Sequence, residues 1–117
     1  SVAVAQAEAA LAAAKLPVNI VVDCSHANSR KNHALQTLVL KDVVNQIYNG
    51  NRSIIGLMIE SNLLAGNQRI PEQKSELEYG RSITDACIDW ETTVKVIRKA
   101  SHSLRDILLQ RMAKNPG

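Results

Sequence analysis

The chain has 117 residues, 45% of them apolar and 21% charged, with a net charge of +3, which is room for one small domain. The basic excess is thin and spread, with Arg30-Lys31 and Arg98-Lys99 the adjacent basic pairs and Tyr48, Tyr79 and Trp90 the aromatics; a nucleic-acid partner, which would call for a basic stripe and stacking rings, is not expected. No apolar run approaches the roughly 18 residues of a membrane span, and Ser1 to Lys15 lacks the basic start of a secretory signal, so no membrane partner and a cytoplasmic setting are expected.

Val2 to Lys15 is alanine-rich, with Ser1 placed to cap it, and reads as a helix. Leu16-Pro17 ends it, because the residue before proline is pushed out of helical geometry. Val18 to Val22 carries β-branched residues at successive positions, the pattern of a parallel strand covered on both faces. A polar loop, Ser25 to His33, follows. Leu35, Leu38, Val39, Val43 and Ile47 then repeat at helical spacing, with Asp42 and Gln46 on the wetter side and Asn49-Gly50 as a stop signal.

Ser53 to Ile59 is a second apolar strand that ends at Glu60-Ser61-Asn62. A long loop comes next, marked by Gly66-Asn67 and Ile70-Pro71, with a short helix expected over Glu72 to Tyr79. Arg81 to Ile88 reads as a third short strand or strand-like stretch, interrupted by Asp85. A last helix runs from Glu91 to about Met112, capped by Asp89 and carrying Val94, Ile97, Leu104, Leu108 and Met112 as its apolar stripe. Trp90 is expected to pack this helix against its neighbours, and Asn115-Pro116-Gly117 closes the chain.

Strands alternating with helices define an α/β fold with parallel strands. A three-stranded parallel sheet covered on both faces leaves two bare edges, and a closed barrel of such units takes about 250 residues. The expectation is therefore a partial (β/α)8 TIM barrel. Residues 1–117 would form an incomplete barrel of about three of its eight β/α units, which the resemblance given below implies to be the last three, the carboxyl-terminal portion.

Three polar residues occupy equivalent places in this plan: His26 after the first strand, Glu60 after the second and Asp85 within the third. Carboxyl ends of parallel strands gather on one face, and an imidazole with two carboxylates suits a divalent Mn, Fe or Co ion. Spacing alone leaves the blander alternative open: a hydrogen-bonded loop histidine, and carboxylates serving as helix caps. Cys24 and Cys87 form no CxxC pair and read as buried packing residues. The glycines make no nucleotide-binding motif.

The wording around these residues is specific. Asp23-Cys24-Ser25-His26-Ala27-Asn28, Asn49-Gly50-Asn51-Arg52-Ser53-Ile54-Ile55-Gly56, Met58-Ile59-Glu60-Ser61-Asn62, Gly66-Asn67-Gln68 and Ser82-Ile83-Thr84-Asp85-Ala86-Cys87-Ile88 occur in one order. Together they resemble the carboxyl-terminal part of the microbial 3-deoxy-D-arabino-heptulosonate 7-phosphate synthases, the class with aromatic-amino-acid-regulated isoenzymes. The likeness runs from the first helix to Met112.

That resemblance implies a (β/α)8 barrel that condenses phosphoenolpyruvate with erythrose 4-phosphate and releases phosphate, the first step of the shikimate route. It implies a divalent metal held by a Cys, a His, a Glu and an Asp, of which the last three match His26, Glu60 and Asp85. Asp85 would also manage protons. The family's cysteine ligand and its phosphate-holding lysines and arginines belong to an amino-terminal half that this sequence does not contain, and neither Cys24 nor Cys87 matches the ligand position. The implied partners are the two substrates, and a homo-oligomer is expected from uncovered apolar strand edges. Arg30, Lys31 and Arg52 read as solvated surface, with a phosphate approach as the alternative; His33 and His102 lie beside polar neighbours and are not expected to be functional. The chain alone is expected to be inactive. The competing reading is a non-catalytic, self-associating α/β scaffold.

Overall fold

The computed structural model describes residues 1–26 and 32–114. Ala27, Asn28, Arg30 and Lys31 lie outside the described residues, as do Asn115, Pro116 and Gly117. The element order is α1 (Val2–Ala13), β1 (Ile20–Asp23), α2 (Gln36–Tyr48), β2 (Ile54–Met58) and α3 (Trp90–Lys114), with 3-10 turns at His33–Leu35 and Lys74–Glu76.

Local chemistry sets the helix ends. The Ser1 hydroxyl accepts a hydrogen bond from the Val4 N–H at 3.3 Å and so caps α1. The helix stops before the proline. Lys15 adopts a left-handed φ of 56°, and its N–H donates to Ala12 O while the Leu16 N–H donates to Leu11 O, a Schellman closure. Gly50, at φ 107°, closes α2 behind Asn49. Asp89 caps α3, its carboxylate accepting from the Thr92 N–H at 2.7 Å.

β1 and β2 pair in parallel, with Ile20 opposite Ile54, Val21 opposite Gly56, Val22 opposite Leu57 and Asp23 opposite Met58. The core lies on one face of this pair, where Val4 of α1, Leu40, Val43, Val44 and Ile47 of α2 and Leu104 of α3 close over Ile54 and Cys24. The opposite face is bare: Val21 is 61% exposed and Ile55 62%. The expected cover on both faces is therefore not met, because among the described residues every helix packs on the same side.

The expected third strand is corrected. Residues 81–88 contribute isolated bridges only, of which Ile88 beside Ser61 is parallel to the continuation of β2. Local bonds compete with a ladder there: the Thr84 N–H donates to Ser82 Oγ, and Asn67 Nδ2 donates to Thr84 O. The helix expected over Glu72 to Tyr79 shrinks to the turn at Lys74–Glu76.

The apolar stripe of α3 is corrected as well. Thr93 and Leu104 are its buried residues, with Val96, Ala100 and Ile107 packed against the core. Ile97, Leu108 and Met112 face outward, and Trp90 is 60% exposed instead of packing the helix. Arg111, from the last turns of α3, donates to Ile54 O at 3.0 Å and to Asn51 O, fastening the helix to the entry of β2.

Candidate metal centre

β1 ends in Asp23 and the chain turns at once. The Asp23 carboxylate accepts from the Ser25 N–H at 2.8 Å and from Ser25 Oγ at 2.5 Å, which bends the backbone so that His26 sits at a left-handed φ of 46°. Such a conformation is uncommon for a non-glycine residue and costs energy, so it persists where its surroundings enforce it. Here Asp23 Oδ2 meets His26 Nδ1 at 2.8 Å and directs the ring.

On its other side, His26 Nε2 lies 3.2 Å from Glu60 Oε1 and 3.1 Å from Asp85 Oδ2. Glu60 comes from just beyond β2. Asp85 comes from the loop before α3, which is braced by its own side chains: Gln68 donates to Glu78 O and Arg81 O, and Arg81 donates to Ala65 O. One donor atom from each of His26, Glu60 and Asp85 lies within 4.8 Å of the others. Two donors about 2.1 Å from one ion at right angles are about 3 Å apart. The spacing and the nitrogen-plus-carboxylate chemistry thus fit a divalent cation. A cavity of about 210 Å³ opens over the cluster, lined also by Ser25, His33 and Gln36.

The electrostatics follow from these contacts. The hydrogen bond to Asp23, then that to Asp85 and the charge of Glu60, raise the His26 pKa above the ordinary imidazole value. Desolvation pushes Asp23 up, but the bonds from Ser25 and His26 together hold it below the usual carboxylate range.

Both cysteines are free and buried, as packing residues should be. Cys87 is not among the clustered donors; its thiol donates to Asp85 O at 3.5 Å. Burial, then the Glu60 charge, raises its pKa. Arg52 precedes β2 and so lies at the opposite end of that strand from Glu60, exposed, in agreement with the reading of solvated surface. His102 is exposed on α3. His33 lines the cavity over the cluster. Sequence reasoning missed Asp23 and Gln36; the only signal for Asp23 was its place three residues before His26.

A parallel α/β chain thus brings an imidazole and two carboxylates together where its strands end, a donor set whose chemistry suits a divalent ion. The chain is a member of the DAHP synthetase I family, whose model matches residues 1–98. It is 49% identical over 110 residues to the Tyr-sensitive phospho-2-dehydro-3-deoxyheptonate aldolase of Escherichia coli (strain K12), covering 94% of this chain and 31% of the relative. It is 50% identical over 91 residues to the tyrosine-inhibited phospho-2-dehydro-3-deoxyheptonate aldolase of Candida albicans, covering 75% of this chain and 25% of that one. Among solved structures, phospho-2-dehydro-3-deoxyheptonate aldolase from Francisella tularensis SCHU S4 matches with a TM-score of 0.80 and 43% identity, over 87% of this chain and 29% of that one. The chain thus spans about a third of the length of the curated relatives it matches.

Proposed function

We propose that residues 1–117 supply the metal-holding strand exits of a (β/α)8 synthase, as the carboxyl-terminal portion of its barrel. That synthase condenses phosphoenolpyruvate with erythrose 4-phosphate to 3-deoxy-D-arabino-heptulosonate 7-phosphate, the first step of the shikimate pathway, in the cytoplasm. The observation that carries the proposal is the convergence of His26, Glu60 and Asp85 within 4.8 Å, in a chain of the DAHP synthetase I family.

His26, Glu60 and Asp85 would hold a divalent ion such as Mn²⁺, Fe²⁺ or Co²⁺, which when bound polarises the aldehyde oxygen of erythrose 4-phosphate. Asp23 keeps the Nδ1 side of His26 occupied, so that Nε2 faces the carboxylates. Asp85 has the most exposed side chain of the three and is placed to take or give a proton at the mouth of the cavity. The cysteine ligand that the resemblance implies has no match at Cys24 or Cys87, and in this reading the chain alone turns over no substrate.

The test is calorimetric titration of the 117-residue chain with Mn²⁺, paired with a phosphate-release assay. Micromolar binding that disappears in His26→Ala supports the site. Absence of heat removes it, and turnover at the level of a full-length relative removes the proposed inactivity. A second reading, a self-associating scaffold without catalysis, is favoured by the bare Val21 and Ile55 face; light scattering that finds a monomer at high concentration excludes it.

A further inference from the structure

We propose that Gln36 is a positioning residue that aims Glu60 into the cluster, a role that rests on reading the cluster as a metal site. β1 gives out at Asp23, opposite Met58, and its last cross-strand bond is from the Cys24 N–H to Met58 O. Beyond that point, among the described residues, the backbone of Glu60 has no strand beside it on the β1 side. Gln36 takes the strand's place. The Glu60 N–H donates to Gln36 Oε1 at 2.8 Å, and Gln36 Nε2 donates to Glu60 O at 3.1 Å.

A primary carboxamide presents an acceptor and a donor side by side in one plane, as the edge of a strand does. The opposite amide orientation would set an NH₂ group against an N–H, so the pairing itself fixes which atom is which. The same carbonyl oxygen, Glu60 O, also accepts from the Ile88 N–H at 3.0 Å. The Glu60 peptide is thereby held between α2 and the segment that carries Asp85, and its side chain leaves from a fixed backbone.

The strut itself is rigid. Gln36 is the first residue of α2 and only 1% exposed, and α2 is anchored by Leu40, Val43, Val44 and Ile47 in the core. Ligands oriented by such locked partners lose about 10–100-fold in metal affinity when the partner is removed. Shape alone does not account for a glutamine here: a methionine would fill similar volume, but would leave the Glu60 N–H without its acceptor.

The experiment compares Mn²⁺ affinity of the parent chain, Gln36→Met and Gln36→Asn by calorimetry, with amide hydrogen exchange at Glu60 as a second readout. Val43→Ala serves as a control that weakens the core without touching the cluster. Gln36→Met is expected to bind about 10–100-fold more weakly and to exchange the Glu60 amide faster, while Val43→Ala stays within about twofold of the parent. Gln36→Asn keeps the polarity but is a methylene too short, and is expected to lose affinity to a similar extent; it carries the test if the methionine variant does not fold. Unchanged affinity in a folded Gln36 variant overturns the proposal alone, as does an equal loss in Val43→Ala. No Mn²⁺ binding by the parent overturns the metal reading, and the proposal with it.

Discussion

Asp23 Oδ2 sits 2.8 Å from His26 Nδ1, three residues apart in the chain and on the side of the ring away from Glu60 and Asp85. A carboxylate in that position holds a proton on Nδ1 and leaves the Nε2 lone pair for a cation. Asp23→Ala should therefore weaken Mn²⁺ binding by about 10–100-fold. Asp23→Asn, whose amide oxygen still accepts from Nδ1–H, should lose less. Calorimetric titration of the two variants checks the order; equal affinities in all three proteins would show that the pair does not tune the site.

At the other end of the strands, Glu8 of α1 accepts from Asn51 Nδ2 at 2.8 Å and from Ser53 Oγ at 2.5 Å. The Ser53 bond, then the Asn51 bond, lower its pKa below 4.5. A carboxylate depressed in the folded state stabilises the fold fully above its unfolded pKa, and that contribution is lost as pH falls through the folded value. Denaturant midpoints taken from pH 7 down to pH 3 should fall for the parent. Glu8→Gln should start lower at pH 7 and fall less steeply, since no charge remains to be lost at that position.

Much of this architecture was legible because one pattern dominated locally. The alanine run with Ser1, the β-branched stretch before Asp23 and the Asn49-Gly50 stop each had a single reading, and α1, β1 and the end of α2 follow them. α3 was misread because it carries two apolar stripes that share Leu104. The packing of α2 selects the one with Val96, Ala100 and Ile107, and helical spacing alone does not distinguish them. Residues 81–88 have the composition of a strand, but serine, threonine and asparagine side chains bond locally and take the backbone out of the ladder. His26, Glu60 and Asp85 were found as strand-exit residues, and they meet although the third strand does not form, because the single Ile88–Ser61 bridge brings that segment alongside β2. Gln36 left no mark in the sequence: a glutamine opening a helix is ordinary until its partner, 24 residues on, is known.

Cys24 lies just past β1 with no exposed surface. Burial, and after it the Asp23 charge, push its thiol up to about 11. At pH 8 roughly one thiol in a thousand would be ionised, and the thiolate is the reactive form. Iodoacetamide at pH 8 should leave Cys24 unmodified in the native chain while the urea-unfolded chain is fully alkylated. Peptide mass spectrometry reads the difference, and rapid native alkylation would contradict the packing role.

Lys15 holds a left-handed φ of 56° at the end of α1, where glycine is the usual occupant. An L-residue there costs about 1–2 kcal/mol, part of which a glycine returns through its freer unfolded chain. Lys15→Gly should stabilise the chain by about 0.5–1 kcal/mol, measured by urea denaturation. A loss of stability would mean that the lysine side chain contributes more than its backbone costs.

The face of the sheet away from the helices bears on how the chain behaves in solution. Val21 and Ile55 stand on it more than half exposed, and they lie near each other because Val21 pairs with Gly56, the residue after Ile55. Neighbouring apolar side chains on an uncovered strand pair favour association, and the outer edges of the two strands, which no third strand pairs among the described residues, add sites for a further strand. The protein should thus form oligomers whose mass rises with concentration. Val21→Thr combined with Ile55→Lys should shift it to monomer, since threonine keeps the strand propensity and the lysines repel across any contact between copies. Light scattering over a hundredfold range of concentration distinguishes the cases. A parent chain that stays monomeric throughout would show that this face does not drive association, and oligomers that persist in the double variant would place the contact elsewhere on the molecule.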